Sequence, residues 1–188
     1  MKKLKVIPLI IFVITLSSLA CNFGFGSQET PEEVIPVTTE AVESLQESAQ
    51  EAAEGAIQSG DIELVITEAQ LTSLLTFELA ERVGDQLSNL QVFLRDGQIQ
   101  LFGDVDTQGI SAQVSVAVAV TVDPVGRPVL KVVSSSIGPF PVPGELISEV
   151  ELLMNQAFQE KVESMAPNMH VESIVIENGT MTIIGRSK

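Results

Sequence analysis

The chain has no tryptophan and no tyrosine, and it carries a single histidine and a single cysteine. One histidine excludes a two-histidine metal site and forces any histidine-based triad through His170. One cysteine excludes an internal disulfide, even in an oxidising compartment. Basic residues are also scarce: 10 Lys and Arg face 25 Asp and Glu, for a formal charge of -15. Nucleic acid is therefore excluded as a partner, because binding it rests on Lys and Arg neutralising phosphates. No Gly-x-Ser-x-Gly, Ser-x-x-Lys, P-loop or His-Glu-x-x-His motif occurs. Gly24-Phe25-Gly26 lacks the strand and helix that a nucleotide fingerprint needs. Asp104-Val-Asp106-Thr-Gln108-Gly109 opens like a calcium loop, but the bidentate glutamate position falls on Ser115, so an acidic hairpin turn is the better reading. His170, close to Pro167 and at a strand entrance, reads as an ordinary surface residue. Asn178-Gly-Thr180 fits a glycosylation acceptor, yet a tight turn already explains it. Many carboxylates remain, and spacing alone leaves a paired acid site open, so an enzyme is a third, unsupported reading. The expectation is a non-enzymatic chain without metal or cofactor.

What is present begins with a tripartite N-terminus. Lys2, Lys3 and Lys5 precede an apolar run from Val6 to Leu19, and small Ala20 stands before Cys21. That is the pattern of a secretory signal peptide over residues 1–20. A spanning helix fits less well, because about 14 apolar residues interrupted by Pro8 fall short of the roughly 20 required. Ser18-Leu19-Ala20-Cys21 resembles the lipobox of bacterial lipoproteins, with leucine one place later than in the commonest form. The resemblance implies cleavage before Cys21 and acylation of Cys21, as by palmitate. The expected location is extracytoplasmic, lipid-anchored to the bacterial membrane. Cleavage removes three lysines and no acid, so the charge goes from -15 to -18. Such a surface is repelled by anionic lipid, and attachment depends on the anchor.

Residues 21–60 read as an acidic tether. From Asn22 to Gly60 there is no Lys or Arg, while eight glutamates repel one another and large apolar residues are few. A marginal helix from Glu40 to Ile57 is compatible with the composition. As a flexible coil the segment would span about 35 Å. Residues 61–188 are long enough for one domain with its own core.

An internal repeat organises that domain. Val92-Phe-Leu-Arg-Asp-Gly-Gln-Ile-Gln-Leu-Phe-Gly103 matches Ile174-Val-Ile-Glu-Asn-Gly-Thr-Met-Thr-Ile-Ile-Gly185 in pattern. Asp96-Gly97 and Asn178-Gly179 are favoured two-residue hairpin turns, since both central positions need positive φ. The turns set Leu94 opposite Ile99 and Val92 opposite Leu101, and likewise Ile176 opposite Met181 and Ile174 opposite Ile183. A helix precedes each hairpin. Thr67 and Gln70 form a capping-box signal, with Leu71, Leu74, Leu75, Leu79 and Val83 at helical spacing and a stop near Gly84. The second helix follows Pro143-Gly144 and ends before Pro167, with a broad apolar stripe that includes Leu146, Val150, Leu153, Met154 and Phe158.

Between the two units, every second residue from Ile110 to Val122 is apolar, and the alternate positions suit a solvated face. The chain turns at Asp123-Pro124-Val125-Gly126 and returns through Val129 to Ile137. The order is helix, hairpin, long hairpin, helix, hairpin. It predicts an α+β fold in which one long, curved, twisted antiparallel sheet wraps around two amphipathic helices.

The Thr67-Glu-Ala-Gln-Leu71 helix start, the Asp96-Gly97 hairpin, the long alternating strand, Ser136-Ile-Gly-Pro-Phe-Pro-Val-Pro143 and the terminal Asn178-Gly-x-Met-x-Ile pattern together resemble the LmeA-like phospholipid-binding family and the YpmS-like envelope proteins. The likeness covers about Asp61 to Arg186. It implies half of a tubular lipid-binding (TULIP-like) module, with an apolar groove between helices and sheet and no catalytic motif. Flexible aliphatics and Met dominate the large apolar residues, a lining that tolerates acyl chains. Candidate groove residues are Leu75, Leu79, Val116, Val118, Phe140, Val150, Met154 and Phe158. For each, plain core packing is the competing explanation, as a helix-entry loop is for Gly138 to Gly144. The functional expectation is binding of phospholipid or another acyl-chain ligand, for lipid transfer or envelope maintenance. The competing class is an envelope scaffold with a fully packed core that binds another envelope protein through a sheet edge or its acidic face.

Overall fold

The computed structural model describes residues 33–107, 110–165 and 169–187. The elements in order are α1 (Thr39–Ser59), β1 (Asp61–Thr67), α2 (Glu68–Val83), a 3-10 turn (Gly84–Gln86), β2 (Leu87–Arg95), β3 (Gln98–Thr107), β4 (Ile110–Val122), β5 (Pro128–Ile137), β6 (Phe140–Pro141), α3 (Gly144–Met165), β7 (Met169–Glu177) and β8 (Thr180–Ser187). The α+β class stands, but the strands form two antiparallel sheets in place of one: β1-β8-β7 and β2-β3-β4-β5-β6. β1 explains the difference. Its alternating Ile62, Leu64 and Ile66 pair it along β8, so the C-terminal hairpin completes a small sheet of its own.

Local chemistry fixes the other elements. Asp96 and Gly97 have φ of 54° and 72°, Asn178 and Gly179 of 53° and 78°, and all four expected cross-strand pairs are present. Thr67 and Gln70 cap α2 reciprocally, satisfying two N–H groups that the first turn leaves free. The β4–β5 turn is built on Asp123, whose Oδ1 accepts from the backbone N–H groups of Val125 and Arg127 while Oδ2 meets Arg127 Nε at 3.1 Å. Those bonds, the Arg127 backbone N–H foremost, hold the Asp123 carboxyl below its ordinary range. A carboxyl lowered in the folded state stabilises the fold above its unfolded pKa, and that contribution vanishes as pH falls through the folded value. Asp123→Asn should therefore lower the urea midpoint at neutral pH and converge with wild type as pH falls through the lowered folded-state pKa of Asp123. An unchanged midpoint at neutral pH would contradict this.

The same turn joins the two sheets. The Val171 N–H donates to the Gly126 carbonyl at 2.9 Å, and His170 Nδ1 lies 3.1 Å from the Val125 carbonyl. A Cβ on Gly126 would sit 2.0 Å from His170 Nδ1, so only glycine admits this docking. His170 is thus half-buried at a sheet junction, not the free surface residue expected.

The main core lies between the sheets: Leu94 and Ile99 of the larger one meet Val171, Ile176, Met181 and Ile183 of the smaller, with Ile66 and Leu71. A second cluster forms on the opposite face of the larger sheet. Phe93 and Phe102 pack edge to face at 5.9 Å, with Ile35 laid across them. This cluster accounts for another departure from expectation, since Ser115 and Ala117 of β4 are buried there and not solvated.

The tether expected over residues 21–60 is likewise shorter than the sequence implied. Residues 33–59 belong to the domain: Ile35 fills the second cluster, Leu45 of α1 enters the main core, and Ala41, Ala49, Ala52 and Ala56 are partly buried. The small alanines let α1 approach closely, so a few large side chains suffice to offset the ordering cost. Leu45→Ala is expected to cost about 2–3 kcal/mol, the lower end for a core leucine, in urea denaturation. A free tether would show no change. The signal peptide expected over residues 1–20, the anchor expected at Cys21 and residues 22–32 lie outside the described residues.

Candidate functional site

A five-stranded open sheet exposes two rows of unpaired backbone groups, and the same device covers both. At the β2 edge, Glu68 Oε1 of α2 accepts from the Leu94 N–H at 2.7 Å. One turn later Thr72 Oγ1 accepts from the Val92 N–H at 3.1 Å and donates to the Val92 carbonyl. At the β5 edge, Glu151 Oε1 of α3 accepts from the Val132 N–H at 2.6 Å. One turn later Asn155 accepts from the Leu130 N–H and donates to the Leu130 carbonyl, both at 2.8 Å. In each case an i, i+4 pair on a helix takes the place of a neighbouring strand, because 5.4 Å of helix roughly matches two strand residues.

The two helices therefore run along opposite edges of one sheet. β2 and β5, which the short β6 covers only at Ser136 and Ile137, are three strand spacings apart, about 14 Å. On the face they flank, the registers Leu94–Ile99–Val118 and Val92–Leu101–Val116–Ser135 define successive rows. The half nearer the Asp96-Gly97 and Asp123–Gly126 turns, here the upper half, is covered by β7, which donates through Val171 to Gly126, and by the neighbouring turn, which donates through Gly179 to the Leu94 carbonyl. Val118, at 1 % exposure, belongs to this closed half. It is core and lines no groove, which corrects its assignment as a wall residue.

The lower half is different. Leu101, Val105, Val114 and Val116 on the same face are only half-buried. Leu75 and Leu79, also half-buried, continue the helical stripe that Leu71 and Leu74 begin in the core. On α3, Met154 and Phe158 stand angularly next to the edge-capping Glu151 and Asn155 and are half-buried. Further round the same side, Leu146, Val150 and Leu153 are exposed, Leu153 by 58 %. Phe140 lies beyond the floor, on β6, 71 % exposed and paired with Ile137. Of the expected groove residues, Leu75, Leu79, Val116, Met154 and Phe158 are half-buried, Val150 and Phe140 are exposed, and Val118 is core. Leu146 and Leu153 are exposed as Val150 is, and the breadth of the α3 stripe was the signal for both. Ser135 Oγ on the floor row and Thr76 Oγ1 on α2 are buried without a protein hydrogen-bond partner.

Two open clefts lie elsewhere. One, of about 730 Å³, gathers both hairpin turns with Glu33, Glu68, Arg95 and Glu177. Within it Arg95 reaches Glu33 at 2.8 Å and Glu68 at 3.5 Å, and stands 4.6 Å above the Phe93 ring. The hydrogen bond to Glu33 raises the Arg95 pKa above its ordinary value. The other cleft, about 520 Å³, lies between α1 and the β1–β8 pair. Asp104 and Asp106 of the calcium-like stretch pair along β4 as strand residues, and Asp104 accepts from Asn89 Nδ2 at 2.8 Å; Gln108 and Gly109 lie outside the described residues. Among the described residues no three metal-ligating side chains are grouped, and no helix is long and apolar enough to cross a membrane. No family model, curated protein or solved structure matches the chain.

Proposed function

We propose that the chain is a lipid-anchored extracytoplasmic protein that binds phospholipid or another acyl-chain ligand in the trough between α2 and α3, without catalysing a reaction. The observation that carries this reading is the exposed apolar side of α3. Glu151 and Asn155 of that helix cap the β5 edge, yet Leu146, Val150 and Leu153 round from them are about half exposed. A surface helix that spent its apolar side on its own core would not leave that side open. The resemblance to the LmeA-like family points the same way. The stretches Val92–Leu94 of β2 and Leu130–Val132 of β5 are capped by side chains, which leaves less open strand for an envelope scaffold to pair with.

Native mass spectrometry of the full chain, delipidated and then exposed to a lipid extract, tests the proposal. Retained acyl lipid in near-stoichiometric amount is the expected result. A chain that emerges lipid-free, with its unfolding midpoint unmoved by lipid, would rule the proposal out.

A further inference from the structure

The lower end of the larger sheet differs chemically from the upper end. At the upper end stand Glu33, Glu68, Arg95, Asp96, Asp123 and Arg127. At the lower end, residues 132–144 form 13 consecutive positions without a charge, in a chain whose formal charge is -15. The β5–β6 hairpin presents that stretch: Ile137 pairs with Phe140 across Gly138-Pro139, and the Gly138 N–H ties the tip to the Gln113 carbonyl at 2.6 Å. Prolines 139, 141 and 143 restrict the backbone around Phe140, so the exposed ring is held out on a stiff tip. A rigid aromatic on an uncharged tip suits the boundary between headgroups and acyl chains.

Chain length is compatible with this placement. The described domain begins at Glu33, at the upper end, and 12 peptide units separate Glu33 from Cys21. At no more than 3.6 Å each they reach roughly 40 Å. The sheet from Gln98 to Thr107 is about 33 Å tall. An anchor at Cys21 therefore allows the lower end to meet the membrane surface that holds the anchor. Asp104, Asp106, Glu145 and Glu149 lie on the elements at that end, so the favoured surface is one without net negative charge.

We infer that the Ile137–Phe140 tip docks into the surface of a lipid bilayer and places the lower mouth of the trough at the headgroup level. The inference rests on the acyl-ligand reading of the trough. It explains why the trough is closed above by β7 and open below.

Because the chain lacks tryptophan, Phe140→Trp gives it a single strong fluorophore. The full acylated chain is reconstituted in phosphatidylcholine vesicles, with Val125→Trp at the upper end as the comparison. Docking predicts that Phe140→Trp emission shifts to the blue when vesicles are present and is quenched by lipids brominated in the acyl chain, while Val125→Trp does neither. Unquenched Phe140→Trp, or quenching of Val125→Trp in its place, overturns the inference. So does a blue shift without vesicles that grows with protein concentration, which would mark a second copy of the chain as the occupant. The same variant examined by native mass spectrometry separates the two ideas. Retained lipid without quenching sinks only the docking, whereas quenching without retained lipid sinks the trough reading and leaves the docked tip.

Discussion

Replacing Thr72 by valine is expected to cost about 2–6 kcal/mol, although the two side chains are nearly the same shape. Thr72 is fully buried, and its hydroxyl serves both backbone groups of Val92, itself fully buried. Valine leaves an N–H and a carbonyl unpaired away from water, at about 1–3 kcal/mol each. Urea denaturation should show a lower midpoint with an unchanged slope, since the surface exposed on unfolding is the same. Asn155→Leu makes the matching change at the β5 edge but should cost less, because Asn155 is half-exposed and water can replace the lost amide. If Thr72→Val falls within about 0.5 kcal/mol of wild type, the hydroxyl bridge is not what holds α2 to the sheet.

The largest functional effect is expected from Val150→Glu combined with Leu153→Glu. Both positions are exposed, so stability should stay within about 0.5 kcal/mol of wild type. Two carboxylates on the trough wall would have to be desolvated against an acyl chain, which predicts affinity lower by on the order of a hundredfold or more. Leu152→Glu is the control. Leu152 is also exposed but stands about 160° round α3 from Val150, so lipid retention should survive. Loss of lipid in both variants alike would mean that net charge, not the trough wall, governs binding.

The residues that set local geometry made much of this fold legible in advance. Asp96-Gly97 and Asn178-Gly179 dictated their turns, Thr67 and Gln70 their cap, and the Ile110–Val122 alternation its strand, because each depends on neighbours in sequence. What escaped depended on distant partners. β1 alternates as clearly as β4 does, but a seven-residue strand before a strong helix start carries no sign of joining β8. α1 looked too polar to fold because its burial is spread over alanines. Within the candidate site, the stripes on α2 and α3 were visible. Which half of the long sheet they left uncovered was not, since that followed from where β7 crosses. Val118 and Val116 are two residues apart with the same pattern, and only the crossing separates core from trough.

Side-chain pins at Glu68, Thr72, Glu151 and Asn155 fasten each helix to a particular strand, so the gap between the helices is counted in strands and cannot vary freely. A hinge is absent from this geometry, and widening the gap would require the sheet itself to untwist. Length along the proposed trough is under no such control, because among the described residues no element crosses the lower end. A guest lying there would be gauged by its thickness, with the number of carbons in its chain left nearly unread.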